Sequence, residues 1–300
     1  MNAVHPEAAL PNADALPFTK GHGTENDFVL LFDERGEIDL SPALVRALCD
    51  RRSGIGADGV LRAVRAGHID EGKAFAPDTW FMDYRNADGT TAEMCGNGAR
   101  VFVAYLEREA GEDAAGGIVV ATRGGPHTVT ALGASRYAVD MGAWRLDAEA
   151  GAEVSVRGWN PRPAITVSMT NPHVVIAALT LEELAAADLS VAPRVDPTPP
   201  AGVNVEVVVP LNLDGARGRL RMRVHERGVG ETRSCGTGAC AAALAARSWS
   251  GDAAPDVWDV EVPGGAVVVR IEDGRTVLEG PAVLVADGVL DLRSIAPSAT

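Results

Sequence analysis

The sequence predicts an α/β fold of the α+β kind, in which two pseudosymmetric domains each wrap a curved, mostly antiparallel β-sheet around a central helix. Two observations point to the duplication. A Cys-Gly-X-Gly-Ala stretch occurs at Cys95 and again at Cys235, and each copy runs into an apolar helical segment. A Gly-Gly pair follows at 124–125 and again at 264–265, so both features repeat at an offset of 140 residues. Landmarks that recur in the same order at one offset indicate two related halves.

The predicted elements follow from capping and turn residues. A helix over 41–54 has Ser41 as N-cap, Pro42 in its first turn and Gly54 as its stop. The segments after the two cysteines are apolar on nearly every side, which predicts two helices that are buried all round. Runs of β-branched residues bounded by Gly, Pro or Asp predict strands at 118–122, 127–131, 136–140, 164–169, 203–209, 219–225, 257–262 and 266–271.

The repeat also predicts where the domains begin and end. The N-terminal half covers 16–140 and is completed by a C-terminal strand near 282–292. The second half covers 141–281, and the boundary lies near Met141-Gly142. The remaining segments are predicted to be flexible tails (1–15 and 293–300) and surface loops or insertions (65–79, 107–117 and 181–202).

Composition and charge exclude several classes of protein. With 46% hydrophobic and 23% charged residues, the 300-residue chain has enough apolar material for a real core. A net charge of −14 argues against binding nucleic acid or an anionic membrane by bulk electrostatics. The N-terminus lacks the pattern of a signal peptide, and no apolar run approaches the length of a membrane span. We therefore expect a cytoplasmic protein whose thiols stay reduced.

Neither a metal site nor a pyridoxal-binding lysine is predicted. The four cysteines and six histidines show none of the spacings of a metal site. Only two lysines are present, Lys20 in TKGHGTEND and Lys73 in EGKAF, and neither context is typical of a Schiff-base lysine. Chemistry at the two repeated cysteines is therefore expected to need no cofactor.

A cysteine at a helix N-terminus has a defined chemical use. The first turn presents unpaired backbone N–H groups and a partial positive charge, and glycines let a ligand approach the backbone. Each turn thus offers donors for a carboxylate and a thiol whose pKa such a position lowers from about 8.5 to roughly 3.5–7.5. If the halves face each other, one thiolate removes an α-proton and the other thiol protonates the opposite face. The predicted chemistry is inversion of a stereocentre by two bases.

Three motifs carry a resemblance to a known family. NADGTTAEMCGNGAR, NPH and ERGVGETRSCGTGA, within a similar stretch from Phe18 to Leu290, resemble diaminopimelate epimerases, which are pyridoxal-independent enzymes with two catalytic cysteines. The resemblance implies an active site in the cleft between two pseudosymmetric domains. It also implies conversion of LL-diaminopimelate to the meso form, for lysine and peptidoglycan synthesis, without metal or cofactor, in a homodimer.

The resemblance assigns catalytic roles to residues of this sequence. Cys95 and Cys235 are expected to be the base and acid pair, each serving one direction. His173, in NPH, and Glu226, in ERG, are the positions expected to support the thiols.

Substrate contacts are implied in the same way. The reacting carboxylate is expected to accept from the N–H groups of Gly96, Asn97, Gly236 and Thr237. The rest of the substrate is expected to be held by Asn26, Asn86, Asn171, Asn204, Glu226 and Arg227. The forked guanidinium of Arg227 suits the distant carboxylate.

The sequence departs from the family pattern at two positions. Many members carry a glutamine where GIGADGV has Gly59, so one substrate contact is missing or replaced. A tyrosine that some members use in dimerisation is absent where Ala286 falls, which weakens the expectation of a homodimer but leaves the chemistry unchanged.

Other interpretations stay open at this point. A two-cysteine enzyme of the proline racemase or hydroxyproline epimerase type also places Cys-Gly-X-Gly turns at two helix starts. A non-catalytic anion-binding or thiol-redox protein is the alternative of another class. Cys49 and Cys240 have apolar helical neighbours and are expected in the core. Asn26 and Asn86 also suit turns, because NADG is a strong turn signal.

Overall fold

The computed structural model describes residues 15–147, 151–214 and 216–295. Most of the two predicted tails lies outside the described residues. Within them, Ala15 begins the first strand and Leu292–Ser294 forms a 3₁₀ turn.

Four α-helices and twenty β-strands make up the described chain. The helices are α1 (Pro42–Cys49), α2 (Gly96–Glu109), α3 (Leu181–Ala186) and α4 (Gly236–Ser250). The strands of the first half are β1 (Ala15–Gly23), β2 (Asn26–Phe32), β3 (Gly59–Arg65), β4 (Trp80–Asn86), β5 (Ile118–Thr122), β6 (Gly125–Gly133) and β7 (Arg136–Ala143). Those that follow are β8 (Arg145–Asp147), β9 (Glu153–Ser155), β10 (Arg162–Pro163), β11 (Ile165–Ser168), β12 (Pro172–Ala177), β13 (Arg194–Asp196), β14 (Asn204–Asp214), β15 (Arg217–Glu226), β16 (Gly230–Thr232), β17 (Val257–Val262), β18 (Gly265–Glu272), β19 (Arg275–Pro281) and β20 (Val283–Asp291).

Strand pairing repeats between the halves. Most pairs are antiparallel, and the parallel ones are β2–β3 and β4–β5 in the first half and β12–β14 and β15–β17 in the second. Equivalent strands are thus parallel in each half, which agrees with the predicted duplication. The pairs β7–β19 and β8–β11 join the halves into one continuous sheet of 17 strands. A small three-stranded sheet of β9, β10 and β13 stands apart.

The duplication extends to single hydrogen bonds. The nitrogen of Gly124 donates to the carbonyl of Glu93 over 3.0 Å, and the nitrogen of Gly264 donates to the carbonyl of Arg233 over 2.9 Å. Both members of the second pair lie 140 residues after those of the first. The two Gly-Gly turns therefore hold equivalent positions beside the two cysteine segments.

Helices α2 and α4 lie at the centre of the main apolar cluster. Residues 96–103 of α2 are all buried, and so are residues 236–246 of α4 apart from Thr237. The prediction of two helices buried all round is confirmed. The alanine-rich sequence of α4 lets strands pack close on every side of it, because alanine has the smallest side chain that still favours a helix.

The predicted end of the first helix is wrong by a few residues. Helix α1 ends at Cys49 rather than at Gly54, because the Asp50 side chain accepts from the nitrogens of Arg52 and Ser53 and turns the chain. Strand β7 continues through the predicted boundary at Met141-Gly142, since its pairing with β19 extends to Ala143.

Two segments predicted as loops contain regular structure. Residues 107–109 are the last turn of α2, and 181–202 contains α3 and β13. Thr180 caps α3 by accepting from the nitrogen of Glu183 over 3.1 Å. Among the described residues, no helix is long and apolar enough to cross a membrane.

The C-terminal strand returns to the N-terminal half. Strand β20 pairs antiparallel with β1 from Ala15↔Asp291 to His22↔Val283. This is the pairing that the predicted division into 16–140 with 282–292, and 141–281, requires.

Candidate active site

The two repeated cysteines are the N-caps of the two central helices. The sulfur of Cys95 accepts from the nitrogen of Gly98 over 3.4 Å, and that of Cys235 accepts from the nitrogen of Gly238 over the same distance. Each thiol therefore satisfies one of the unpaired N–H groups of a first turn. A side chain at an N-cap is fixed by local sequence, so this placement follows directly from the repeated motif.

The two helix starts meet. A Cβ built on Gly236 would lie 3.4 Å from the Cα of Gly96 and 3.6 Å from the nitrogen of Asn97. Both glycines also pack on Leu278, since a Cβ on either would lie within 3.0 Å of its Cδ2. Glycine at both positions is what lets the two first turns approach each other.

Asn26 and Asn97 gather at Cys95. The Nδ2 atom of Asn97 donates to Oδ1 of Asn26 over 3.3 Å and to the carbonyl of Ser234 over 3.1 Å. The thiol of Cys95 donates to the same Asn26 oxygen over 3.5 Å. Because Ser234 precedes Cys235, Asn97 also ties the two halves together.

Asn171, His173 and Thr237 gather at Cys235. The hydroxyl of Thr237 lies 3.5 Å from the sulfur of Cys235 and accepts from Nδ2 of Asn171 over 3.4 Å. The Oδ1 atom of Asn171 lies 2.9 Å from Nε2 of His173. Since the amide nitrogen of Asn171 faces the threonine, its oxygen accepts the Nε2 hydrogen of the imidazole.

Glu226, Asn204 and Arg227 form the adjoining edge. The carboxylate of Glu226 accepts from the hydroxyl of Thr232. The Oδ1 atom of Asn204 accepts from the backbone nitrogen of Arg227 over 2.8 Å. The guanidinium of Arg227 is exposed and donates to the carbonyl of Ala201 over 3.2 Å.

Asn86 ends β4 and lies in the NADG turn. Its nitrogen donates to the carbonyl of Thr90, and its Nδ2 donates to the hydroxyl of Thr90 over 3.1 Å. Its hydrogen bonds to other described residues therefore stay within the turn, as the structural interpretation of NADG expected. By the 140-residue offset it is the counterpart of Glu226, so it occupies the equivalent edge in the first half.

Comparison with known proteins agrees with this geometry. The sequence profile described as Diaminopimelate epimerase matches residues 18–146 and 165–285. The protein named Diaminopimelate epimerase from Rhodococcus jostii (strain RHA1) is 48% identical over 290 residues, which is 92% of this chain and 97% of that protein. The protein of the same name from Thermobifida fusca (strain YX) is 48% identical over 286 residues, or 93% of this chain and 100% of that one.

The chain belongs to the diaminopimelate epimerase family.

Solved structures at low identity share the fold. A phenazine biosynthesis protein of the PhzF family from Bacillus anthracis has a TM-score of 0.63 at 14% identity, and the match covers 92% of this chain and 99% of that one. A hydroxyproline epimerase from Agrobacterium vitis has a TM-score of 0.57 at 14% identity, over 93% of both chains. The predicted fold class is confirmed, and the resemblance to the diaminopimelate epimerase family is confirmed at the level of sequence.

The pKa values of the two thiols are raised in this protein, not lowered as predicted. Burial raises the pKa of Cys95 to about 11. The N–H of Gly98 lowers this pKa and the charge of Glu226 raises it, but both effects are weaker than that of burial. Burial also raises the pKa of Cys235 well above its ordinary value, and the carboxylates of Glu226 and Glu206 add to that shift. The helix start is a local effect, and here removal from water outweighs it.

Glu206 was not among the residues predicted from the sequence. This carboxylate is fully buried on β14, and its Oε1 lies 2.7 Å from Nδ1 of His173. The same oxygen would lie 2.8 Å from a Cβ built on Gly238, so it reaches the first turn after Cys235. The available signal was a single acidic residue inside the apolar run VNVEVVV.

Arg100 was not predicted either, and it is fully buried in α2. Its guanidinium donates to Oδ1 of Asn97 over 2.9 Å and to the carbonyl of Pro281 over 3.2 Å. Burial lowers its pKa to about 10, which leaves a positive charge at neutral pH behind the helix start that carries Cys95. A lone arginine in the otherwise apolar run after CGNGA was the signal.

The other two cysteines are core residues, as predicted. Cys49 packs in the cluster around α1, and Cys240 lies in the main cluster. All four cysteines are free.

Proposed function

We propose that the protein interconverts LL- and meso-diaminopimelate by inverting one α-carbon, with Cys95 and Cys235 as the two bases. The observation that supports this most directly is the meeting of two helix starts at Gly96 and Gly236, each capped by a thiol. One thiolate takes the α-proton and leaves a carbanion stabilised as the enolate of the carboxylate. The opposite thiol then gives its proton to the other face, so the two sulfurs exchange roles in each turnover.

The carboxylate at the reacting carbon is held by the N–H groups of Gly96, Asn97, Gly236 and Thr237. An α-proton beside a carboxylate is weakly acidic, so the developing charge needs fixed donors. One such donor contributes about 3 kcal/mol in other enzymes. Arg100 adds a buried positive charge behind the first of these helix starts.

A resting thiol needs a group that accepts its proton. Glu226 suits this role for Cys235, because its charge acts on the pKa of that thiol and because burial raises the pKa of Glu226. A carboxyl with a raised pKa holds a proton more readily at neutral pH. His173 supports Cys235 less directly, through Asn171 and Thr237.

The remainder of diaminopimelate lies along the edge formed by Asn86, Asn204 and Arg227. Asn26 and Asn171, at equivalent places in the two halves, flank the reacting centre. Arg227 binds the distant carboxylate, since its guanidinium is exposed and has only one hydrogen-bond acceptor among the described residues. A forked donor recognises a carboxylate through two parallel hydrogen bonds.

The assembly belongs to the same proposal. We infer two domains, 16–140 with 282–292 and 141–281, and a homodimer in the cytoplasm that serves lysine and peptidoglycan synthesis. Strand β20 pairs only with β1 among the described strands, and three of its valines are exposed: Val283, Val285 and Val289. An apolar strand edge of this kind suits pairing with a second copy.

An assay of the purified protein tests the function. LL-diaminopimelate is incubated without pyridoxal phosphate or added metal, and the meso isomer is separated by chromatography. Conversion by the wild type, with loss in Cys95→Ala and Cys235→Ala, is expected. L-proline and trans-4-hydroxy-L-proline serve as control substrates, and turnover of these with none of diaminopimelate would reject the proposal.

A further inference from the structure

Side chains at alternate positions along the end of β15 hold the segment between α3 and β14. Arg223 donates to the carbonyl of Leu184 over 2.7 Å, and Nδ1 of His225 lies 2.8 Å from the carbonyl of Leu189. A carbonyl oxygen only accepts, so this imidazole nitrogen carries the hydrogen. Alternate residues of a strand share a face, and Arg227 is the next member of the series. The segment predicted as a surface loop therefore lies along the strand that leads to Arg227.

Three parts of Arg227 are held by the chain that enters β14. Its backbone nitrogen donates to Oδ1 of Asn204 over 2.8 Å, and Nη1 of its guanidinium donates to the carbonyl of Ala201 over 3.2 Å. Between these two contacts the stem of the side chain lies against Gly202. A Cβ built on Gly202 would lie 3.0 Å from Cδ and 3.1 Å from Cγ of Arg227. Glycine at this position is what lets the stem lie on the backbone.

The support under the stem is a stiff turn. The nitrogen of Gly202 donates to the carbonyl of Pro199 over 3.0 Å, which closes a four-residue turn with Pro200 at its second position. The two proline rings fix two of the backbone angles in this turn. Gly202 itself has a φ of +73°, which residues with a side chain rarely adopt. A methyl group added at Gly202 would therefore displace the flexible stem of Arg227 more readily than the turn.

The held guanidinium keeps one edge for a ligand. Nη1 of Arg227 is taken by Ala201, while Nε and Nη2 have no acceptor within the described ranges. These two nitrogens form the edge that can make two parallel hydrogen bonds to one carboxylate. A long side chain loses rotamer freedom when a ligand fixes it, and a support that fixes the stem beforehand removes part of that cost from binding.

We propose that Gly202 is a positioning residue for substrate recognition, because the backbone of its turn sets how far the guanidinium of Arg227 reaches along the site. The inference rests on the proposed function, in which Arg227 binds the distant carboxylate. With the stem fixed, the free edge of the guanidinium meets a carboxylate at one distance from the reacting carbon. The turn thus favours amino acids whose second carboxylate lies as far away as it does in diaminopimelate.

The test is a double-mutant cycle. Gly202→Ala adds the methyl group that would press on the stem, and Arg227→Ala removes the stem. The wild type, both single variants and the double variant are assayed with LL-diaminopimelate below saturation, and Tm is measured for each. Gly158→Ala is the matched control, because Gly158 has a φ of +82° and a Cβ built there would meet no described atom within 4 Å. It introduces the same kind of backbone strain without touching Arg227.

Gly202→Ala is expected to lower kcat/KM by about fivefold or more, since a displaced guanidinium misplaces the substrate. Gly158→Ala is expected to stay within about twofold of the wild type. Adding Gly202→Ala to Arg227→Ala is expected to change kcat/KM by less than about twofold, because the stem that the methyl group would displace is gone. If Gly202→Ala does not fold, Gly202→Asn takes its place in the cycle, because asparagine tolerates positive φ better and brings the same Cβ.

The outcomes separate this inference from the function on which it rests. Wild-type kinetics in Gly202→Ala, or an undiminished loss when it is added to Arg227→Ala, would overturn the role of Gly202. Wild-type kinetics in Arg227→Ala would reject Arg227 as the group that binds the distant carboxylate, and the role of Gly202 with it. Absence of diaminopimelate turnover in the wild type would instead reject the proposed function itself.

Discussion

The Nδ1 atom of His173 lies 2.7 Å from Oε1 of Glu206, and both side chains are completely shielded from solvent. The strand registers make Phe28 the counterpart of His173 and Leu61 the counterpart of Glu206. A Cβ built on Gly98 would lie 3.5 Å from both apolar side chains, just as Glu206 adjoins Gly238. One fold therefore accommodates either an apolar pair or a hydrogen-bonded polar pair behind the helix start that a cysteine caps.

We predict that Glu206→Leu alone destabilises the protein and that adding His173→Phe recovers much of the loss. Removing one partner of a buried pair costs about 3–5 kcal/mol, whereas replacing both with apolar groups is often neutral. The single variant is expected to lower Tm by roughly 6 °C or more. Calorimetry of both variants and of His173→Phe checks this, and purely additive losses would contradict it.

Local sequence was enough to predict the positions of the thiols, and distant pairing was not. An N-cap depends on a few adjacent residues, so Cys95 and Cys235 and the burial of α2 and α4 could be predicted. Glu206 meets His173 only because β12 and β14 are parallel, although 26 residues separate those two strands. The contact between Gly59 and the ring of Tyr84 likewise depends on the register of β3 and β4.

The error about thiol acidity has the same origin. A helix start can be recognised in a sequence, but the amount of protein that covers it cannot. Removal from water raised both pKa values in spite of the N–H groups at the helix start.

Alkylation of Cys95 is predicted to accelerate with pH without levelling off below pH 9. The thiolate is the nucleophile, and burial raises the pKa of this thiol to about 11. The thiolate fraction then grows about tenfold per pH unit from pH 7 to 9. Iodoacetamide labelling, followed by peptide mass spectrometry, measures the rate. The same peptide from urea-unfolded protein is the control and should approach its plateau near its ordinary pKa of about 8.5. A plateau at or below neutral pH in the folded protein would show that the helix start dominates after all.

Arg227→Lys is predicted to lower kcat/KM for diaminopimelate by about tenfold or more while Tm stays nearly constant. Lysine keeps the charge but lacks the fork, and poor placement of the distant end misaligns the α-carbon between the thiols. The Arg227 side chain is exposed and bonds only Ala201 among the described residues, so folding should be little affected. Arg52→Lys, at another exposed arginine, is the control. Steady-state kinetics equal to the wild type would make Arg227 a surface residue without a role in binding.

Early product formed in heavy water is predicted to carry deuterium at the inverted carbon, while unreacted substrate stays mostly unlabelled. The thiols exchange with solvent, so the one that protonates the new face delivers deuterium. The other holds the abstracted hydrogen and returns the same atom on reversal. Cys95 and Cys235 cap separate helices that meet at Gly96 and Gly236, and the proposed mechanism therefore assigns one base to each face of the α-carbon. Cys95→Ala and Cys235→Ala should each abolish inversion in both directions, because each direction uses both sulfurs. The control variant Cys49→Ala, in the core around α1, should keep the inversion activity.

Mass spectrometry and proton NMR at low conversion give the labelling. A single base that moved between faces would carry original hydrogen into the product, so substantially unlabelled early product would exclude the two-cysteine mechanism.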